Sequence, residues 1–131
     1  MHSVLAAGNF ALTLHQGFAR SVLLYSGILA LWGFFQFLAG RNPSGAYLGA
    51  LILMEALTVL QGIVGVVLFG QGHRPHDGGL HWLYGLLAVL TLPAAYSFSA
   101  RGVERRDSLV FALATLFLIG VGIRAIGTGG T

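Results

Sequence analysis

Two histidines stand in similar surroundings, His15 in "LHQGFARSVLLY" and His81 in "LHWLYGLLAVLT". Neutral imidazoles presented by two helices are what the iron of a b-type haem takes as axial ligands. Four residues on from each, one turn along the same helix face, stand the small residues Ala19 and Gly85. A flat macrocycle lying against a helix needs such gaps. Arg20 and Arg124 are expected at the same end of the molecule, where two guanidinium groups could pair bidentately with haem propionates. The plainer reading of both histidines is an amphipathic ring resting at the headgroup boundary.

Two further groups could carry chemistry. The loop "GHRPHDGGLH" holds His73, His76, Asp77 and His81, nitrogen and oxygen donors that could clip Zn²⁺ or Cu²⁺. Pro75, Gly78 and Gly79 make the segment a loop, and exposed loop histidines are equally well solvated, pH-sensitive groups. A haem that takes His81 removes the loop's best ligand, so the two readings compete. Glu55 falls within an apolar run, with Gln61 further along it. A carboxyl in hydrocarbon faces the bundle interior and is paired or protonated. It reads as a proton relay or quinone-facing acid, or as a structural carboxyl bonded to Thr58 or to a neighbouring tyrosine. Arg124 is a conceivable partner, although it is expected nearer the membrane face.

The elements that position these residues follow from composition. Of 131 residues, 56% are hydrophobic and 8% charged. Soluble domains carry about 25% charged residues, so this chain lacks the polar surface to face water and reads as an integral membrane protein. No cysteine is present, which excludes disulfides and thiolate chemistry. The seven basic residues are all arginines, set singly or in pairs at the ends of apolar runs, where they anchor helices at headgroups. Nucleic acid is not an expected partner. The N-terminal stretch lacks the basic residues that open a signal peptide and reads as part of the mature protein.

Spanning the hydrocarbon takes about 20 apolar residues as a helix. Four segments qualify, at about 18–39, 45–69, 80–100 and 108–126, separated by "GRNPSG", "GQGHRPHDGG" and "ARGVERRD". The expected fold is an all-α, up-down-up-down four-helix transmembrane bundle in one domain, residues 1–131. Residues 3–14, which Gly8 and Asn9 interrupt, are expected to form a short interfacial helix or to lengthen the first span. In such a bundle the first and third helices lie across a diagonal, and His15 and His81 point into a shared interior. Arg41, Arg101, Arg105 and Arg106 place loops 40–45 and 100–107 in the cytoplasm, with both termini and loop 70–79 outside a cell (inner) membrane. "GAYLG" fits the GxxxG pattern of close helix contacts.

No nucleophilic triad, paired acids or phosphate loop occurs, so an electron carrier or structural subunit is favoured over a stand-alone enzyme. The leading expectation is a small membrane protein holding haem b between His15 and His81, exchanging electrons at the outer face with a quinone or a membrane redox partner. The alternatives are a structural or assembly subunit of a larger membrane complex, and a small transporter or metal handler using Glu55 and the histidine loop. A homodimer is compatible with the first two.

Overall fold

Backbone N–H and C=O groups find no water in hydrocarbon, so long apolar runs bond internally as helices. The computed structural model describes residues 2–129, with side chains described from Asn9 onward. Its elements are α1 (His2–Leu38), α2 (Gly45–Gly70), α3 (Gly78–Phe98) and α4 (Arg105–Gly129). All four are long and apolar enough to cross a membrane. The chain is a multi-pass membrane protein with an all-α, four-helix bundle fold. Residues 3–14 lengthen the first helix and do not form a separate interfacial one, because α1 runs unbroken through Gly8 and Asn9. A helical glycine costs only about 1 kcal/mol relative to alanine, too little to break a helix flanked by apolar turns.

The breaks carry the chemistry that stops and restarts helices. Gly40 has φ 76° and Gly72 φ 92°, conformations that a side chain disfavours. The Ser44 hydroxyl accepts from the N–H of Tyr47 at 3.1 Å to cap α2, and the Asp77 carboxylate accepts from the N–H of Leu80 at 3.3 Å to cap α3.

Consecutive helices pack together and α4 closes the ring against α1, while α2 and α3 touch least. Helices α1 and α3 therefore face each other across a diagonal. The core is densest toward the 39–44 and 99–104 connections, where Leu29, Tyr47, Met54, Phe111 and Leu118 are buried. The Tyr47 hydroxyl donates to the carbonyl of Leu29 at 2.9 Å. A Cβ on Gly33 would fall 2.6 Å from that hydroxyl and 2.9 Å from Ala112 Cβ, so this glycine sets how closely α1 approaches α2 and α4.

At the same end the wholly buried Asp107 holds the α3–α4 connection. One carboxylate oxygen accepts from the N–H of Ala100 at 3.0 Å, and the other from Gly102 at 2.9 Å and Glu104 at 3.2 Å. The bonds hold a turn with positive φ at both Arg101 (61°) and Gly102 (87°). The neighbouring Ser108 hydroxyl donates to the carbonyl of Arg41 at 2.8 Å, and Arg105 Nε to that of Phe37 at 2.9 Å, tying α4 to the end of α1. Asp107→Ala would strand three donors, of which the Gly102 N–H is buried, and at about 1–3 kcal/mol for a buried orphan it should destabilise the fold by about that much. Reversible unfolding in mixed micelles checks this; Asp107→Asn, which keeps one acceptor oxygen, should fall between alanine and wild type.

Candidate functional site

Away from that packed end, side chains on the inner face shrink and a cavity of about 320 Å³ opens among the helices. Its walls are small residues from all four: Ala19 on α1, Gly62 and Gly65 on α2, Gly85 and Ala88 on α3, Gly122 on α4. A Cβ added at Gly62 or Gly85 would meet nothing within 4 Å, so both face open space. The polar lining includes Thr58 and Gln61. Phe69 and Trp82 stand on the α2–α3 side with ring centroids 5.6 Å apart. Arg74 lies over the Phe69 ring at 3.9 Å and donates to its carbonyl.

His15 and His81 meet in this cavity across the diagonal, ring centroids 6.0 Å apart and planes at 65°. His15 lies on the face of α1 that also carries Leu12, Ala19 and Val22, at helical spacing. His81 sits in the first turn of α3, and α4 holds its ring. Its Nδ1 is 2.9 Å from the carbonyl oxygen of Ala125 and 3.3 Å from the Thr128 hydroxyl. A carbonyl can only accept, so Nδ1 carries the proton and Nε2 keeps its lone pair. A Cβ on Gly129 would fall 2.7 Å from His81 Cε1, and one on Gly65 3.2 Å from His15 Cε1. Each imidazole thus has a glycine from the next helix against it, and a larger residue at either place would displace the ring.

His15 is held differently. Gln61 Nε2 donates to its backbone carbonyl at 2.9 Å, while the ring's own Nδ1 is buried without a partner. Gln61 Oε1 and Glu55 Oε2 are also buried and unpartnered. The Thr58 hydroxyl lies 2.8 Å from the Glu55 backbone carbonyl and 3.2 Å from its Oε1. Thr58 reaches the cavity and Glu55 does not. Arg124 makes no ion pair with Glu55; the only ion pair among the described residues joins Arg106 to Glu104 at 3.0 Å.

Of the residues singled out in the sequence, His15, His81, Ala19 and Gly85 share the cavity with Thr58, Gln61 and His73, and Arg20 and Arg124 do not line it. Both arginines are exposed. Helix geometry gives the reason: at about 100° per residue, Arg20 lies about 140° around α1 from His15, and Arg124 about 100° around α4 from the inward-facing Ala125. The guanidinium at the cavity is Arg74, which reaches it from the loop and has no helical spacing to betray it. The loop metal clip is not assembled either. Among the described residues no three His, Cys, Asp or Glu side chains converge on one point. His76 is exposed, and the Asp77 carboxylate is engaged as the cap of α3.

Fold and site together define a small polytopic membrane protein with an internal, histidine-bearing cavity. No family model, no curated protein and no solved structure matches the chain.

Because Gly62 and Gly85 face open space, Gly62→Leu and Gly85→Leu should fill the cavity without harming the fold. Cavity filling typically adds about 0.5–2 kcal/mol. Thermal unfolding in detergent should show equal or higher stability for both variants, whereas Gly129→Leu, which drives into the His81 ring, should lose stability.

Proposed function

We propose that the chain is a small membrane b-type haem protein that transfers electrons, with His15 and His81 as the residues that would hold the haem iron. The observation that carries this reading is the spacing of the two rings inside a glycine-walled cavity. Imidazole nitrogens bond transition metals at about 2.0–2.1 Å, so two on opposite sides of one ion stand with ring centroids roughly 6 Å apart; the observed separation is 6.0 Å. A bare ion would need no more room than that. A macrocycle needs space at its flanks, and Gly62 on α2 and Gly85 on α3, where an added Cβ would meet nothing within 4 Å, supply it. The cavity volume falls at the lower end of the roughly 300–1,000 Å³ typical of cofactor and ligand sites.

The surrounding residues suit that role. The Ala125 carbonyl holds the His81 tautomer that leaves Nε2 free, the outer support that metal-binding histidines regularly have. Arg74 supplies one guanidinium at the cavity for a propionate. When bound, haem b would supply a reversible one-electron iron couple. The electron partner we infer is a membrane quinone or a membrane redox protein. The excess of arginine at the opposite end, Arg41, Arg101, Arg105 and Arg106, supports a cell (inner) membrane with the histidine end outside.

The structural-subunit reading draws on α3, where Leu92 is the one fully buried residue. That leaves a face free for another chain, yet it gives no reason for two imidazoles to face each other across a hole.

Absorption spectra of the detergent-purified protein, expressed with ample haem and recorded oxidised and then dithionite-reduced, decide between them. The wild type should show sharp reduced-minus-oxidised haem bands. His15→Ala and His81→Ala should lose the bis-histidine spectrum, and Gly85→Leu should lose haem while staying folded. A colourless wild type sinks the cytochrome reading and leaves the structural subunit.

A further inference from the structure

Among the described residues, two of the three buried, unpartnered side-chain atoms are His15 Nδ1 and Gln61 Oε1, and their residues already touch. We infer that Gln61 is the positioning residue of His15: its side-chain oxygen accepts the Nδ1–H proton of that ring, doing for the first histidine what the Ala125 carbonyl does for the second. This rests on the haem reading above.

The orientation of the Gln61 amide is not arbitrary. Its contact with the His15 backbone oxygen at 2.9 Å must come from the NH₂ group, because two oxygens cannot share a hydrogen bond without a donor between them. Oε1 is therefore the free end, an acceptor with nothing to accept. His15 offers the complement. An imidazole that gives its Nε2 lone pair to a metal carries its proton on Nδ1, and a buried N–H without an acceptor costs about 1–3 kcal/mol. The two deficits cancel if the groups meet. Gly65, one turn beyond Gln61 on α2, lies against the same ring, with its absent Cβ 3.2 Å from Cε1 and 3.8 Å from Nδ1. The face of α2 that carries Gln61 is thus the face toward which Nδ1 lies, and the glycine leaves the ring free to turn.

The two ligands would then differ in a useful way. His81 bonds to a backbone carbonyl, which no substitution removes, whereas His15 bonds to a side chain. Ligand basicity on the α1 side is therefore open to adjustment by one residue. Supporting partners of this kind typically change metal affinity by about 10–100-fold when lost.

The test compares wild type, Gln61→Leu and Gln61→Glu, each loaded with haem in detergent, by haem titration and by redox potentiometry, with thermal unfolding of the unloaded chains as a control for folding. Gln61→Leu should weaken haem binding about 10–100-fold and raise the midpoint potential, since an unsupported imidazole is the poorer donor to ferric iron. Gln61→Glu, a stronger acceptor, should shift the potential the other way. A purely structural role, through the bond to the His15 carbonyl, predicts shifts of the same sign in both variants, because neither carboxylate nor leucine can donate to that oxygen. Shifts of one sign, or unchanged affinity and potential in folded and loaded variants, overturn the assignment while leaving the haem reading standing. A wild type that takes up no haem overturns both.

Discussion

Side-chain volume along the inner seam of the bundle changes abruptly from one end to the other, and the site depends on that gradient. On α2 a single face carries Tyr47, Leu51 and Met54, then Thr58, Gly62 and Gly65. Close packing is the rule in protein interiors, so helices lined with glycine should approach until backbones touch. Here they are held apart. The rings of His15 and His81 rest against Gly65 and Gly129, and the Phe69–Trp82 pair stands between α2 and α3. The volume missing from the glycines is partly returned by the two imidazoles, and the remainder is the cavity.

Much of this was legible in the sequence because bilayer physics is restrictive. Length and hydropathy dictate four spans, the Gly- and Pro-bearing breaks delimit them, and helical spacing puts Ala19 under His15 and Gly85 under His81. What the sequence does not encode is a role that depends on helix rotation or on distant backbone. Depth alone groups Arg20 and Arg124 with the histidines; the spacing from His15 already turns Arg20 aside, whereas the outward turn of Arg124 follows only from which face of α4 the structure shows to be inward. Arg74 and Gln61 gave no such signal. One reaches the cavity from an irregular loop, and the other matters through a contact between helices that no local pattern encodes. Asp107 carries no sequence signal beyond its place in the charged connection "ARGVERRD". Its burial follows from where the α3–α4 turn happens to aim three N–H groups.

The two ends divide the work of the molecule. Around Asp107, Ser108 and Arg105, backbone carbonyls and amides of the connections are satisfied by side chains from neighbouring elements. The site end has fewer such ties: Gln61 to the His15 carbonyl, His81 to the Ala125 carbonyl, and the Asp77 N–H to the Thr128 carbonyl at 2.7 Å. All three run between helices, and the last two join α3 to α4. Since α2 and α3 touch least, the side between them is where the bundle is least constrained, and Phe69, Trp82 and Arg74 stand on that side.

Unmet hydrogen-bonding capacity in a membrane interior is informative because hydrocarbon offers no substitute for water. Each such atom carries a penalty that folding alone does not remove, and here the three known cases lie on His15, Gln61 and Glu55. None of them is in the packed end, where even the buried carboxylate of Asp107 has both oxygens occupied. A chain that only needed to fill lipid would do better with leucine at all three positions, since apolar replacements of similar size are close to neutral or stabilising when both partners of a buried polar pair are removed. Retaining an imidazole and an amide at a hole makes physical sense when something entering the hole changes their bonding. That is why the unsatisfied atoms, more than the cavity volume itself, favour a bound group over empty space.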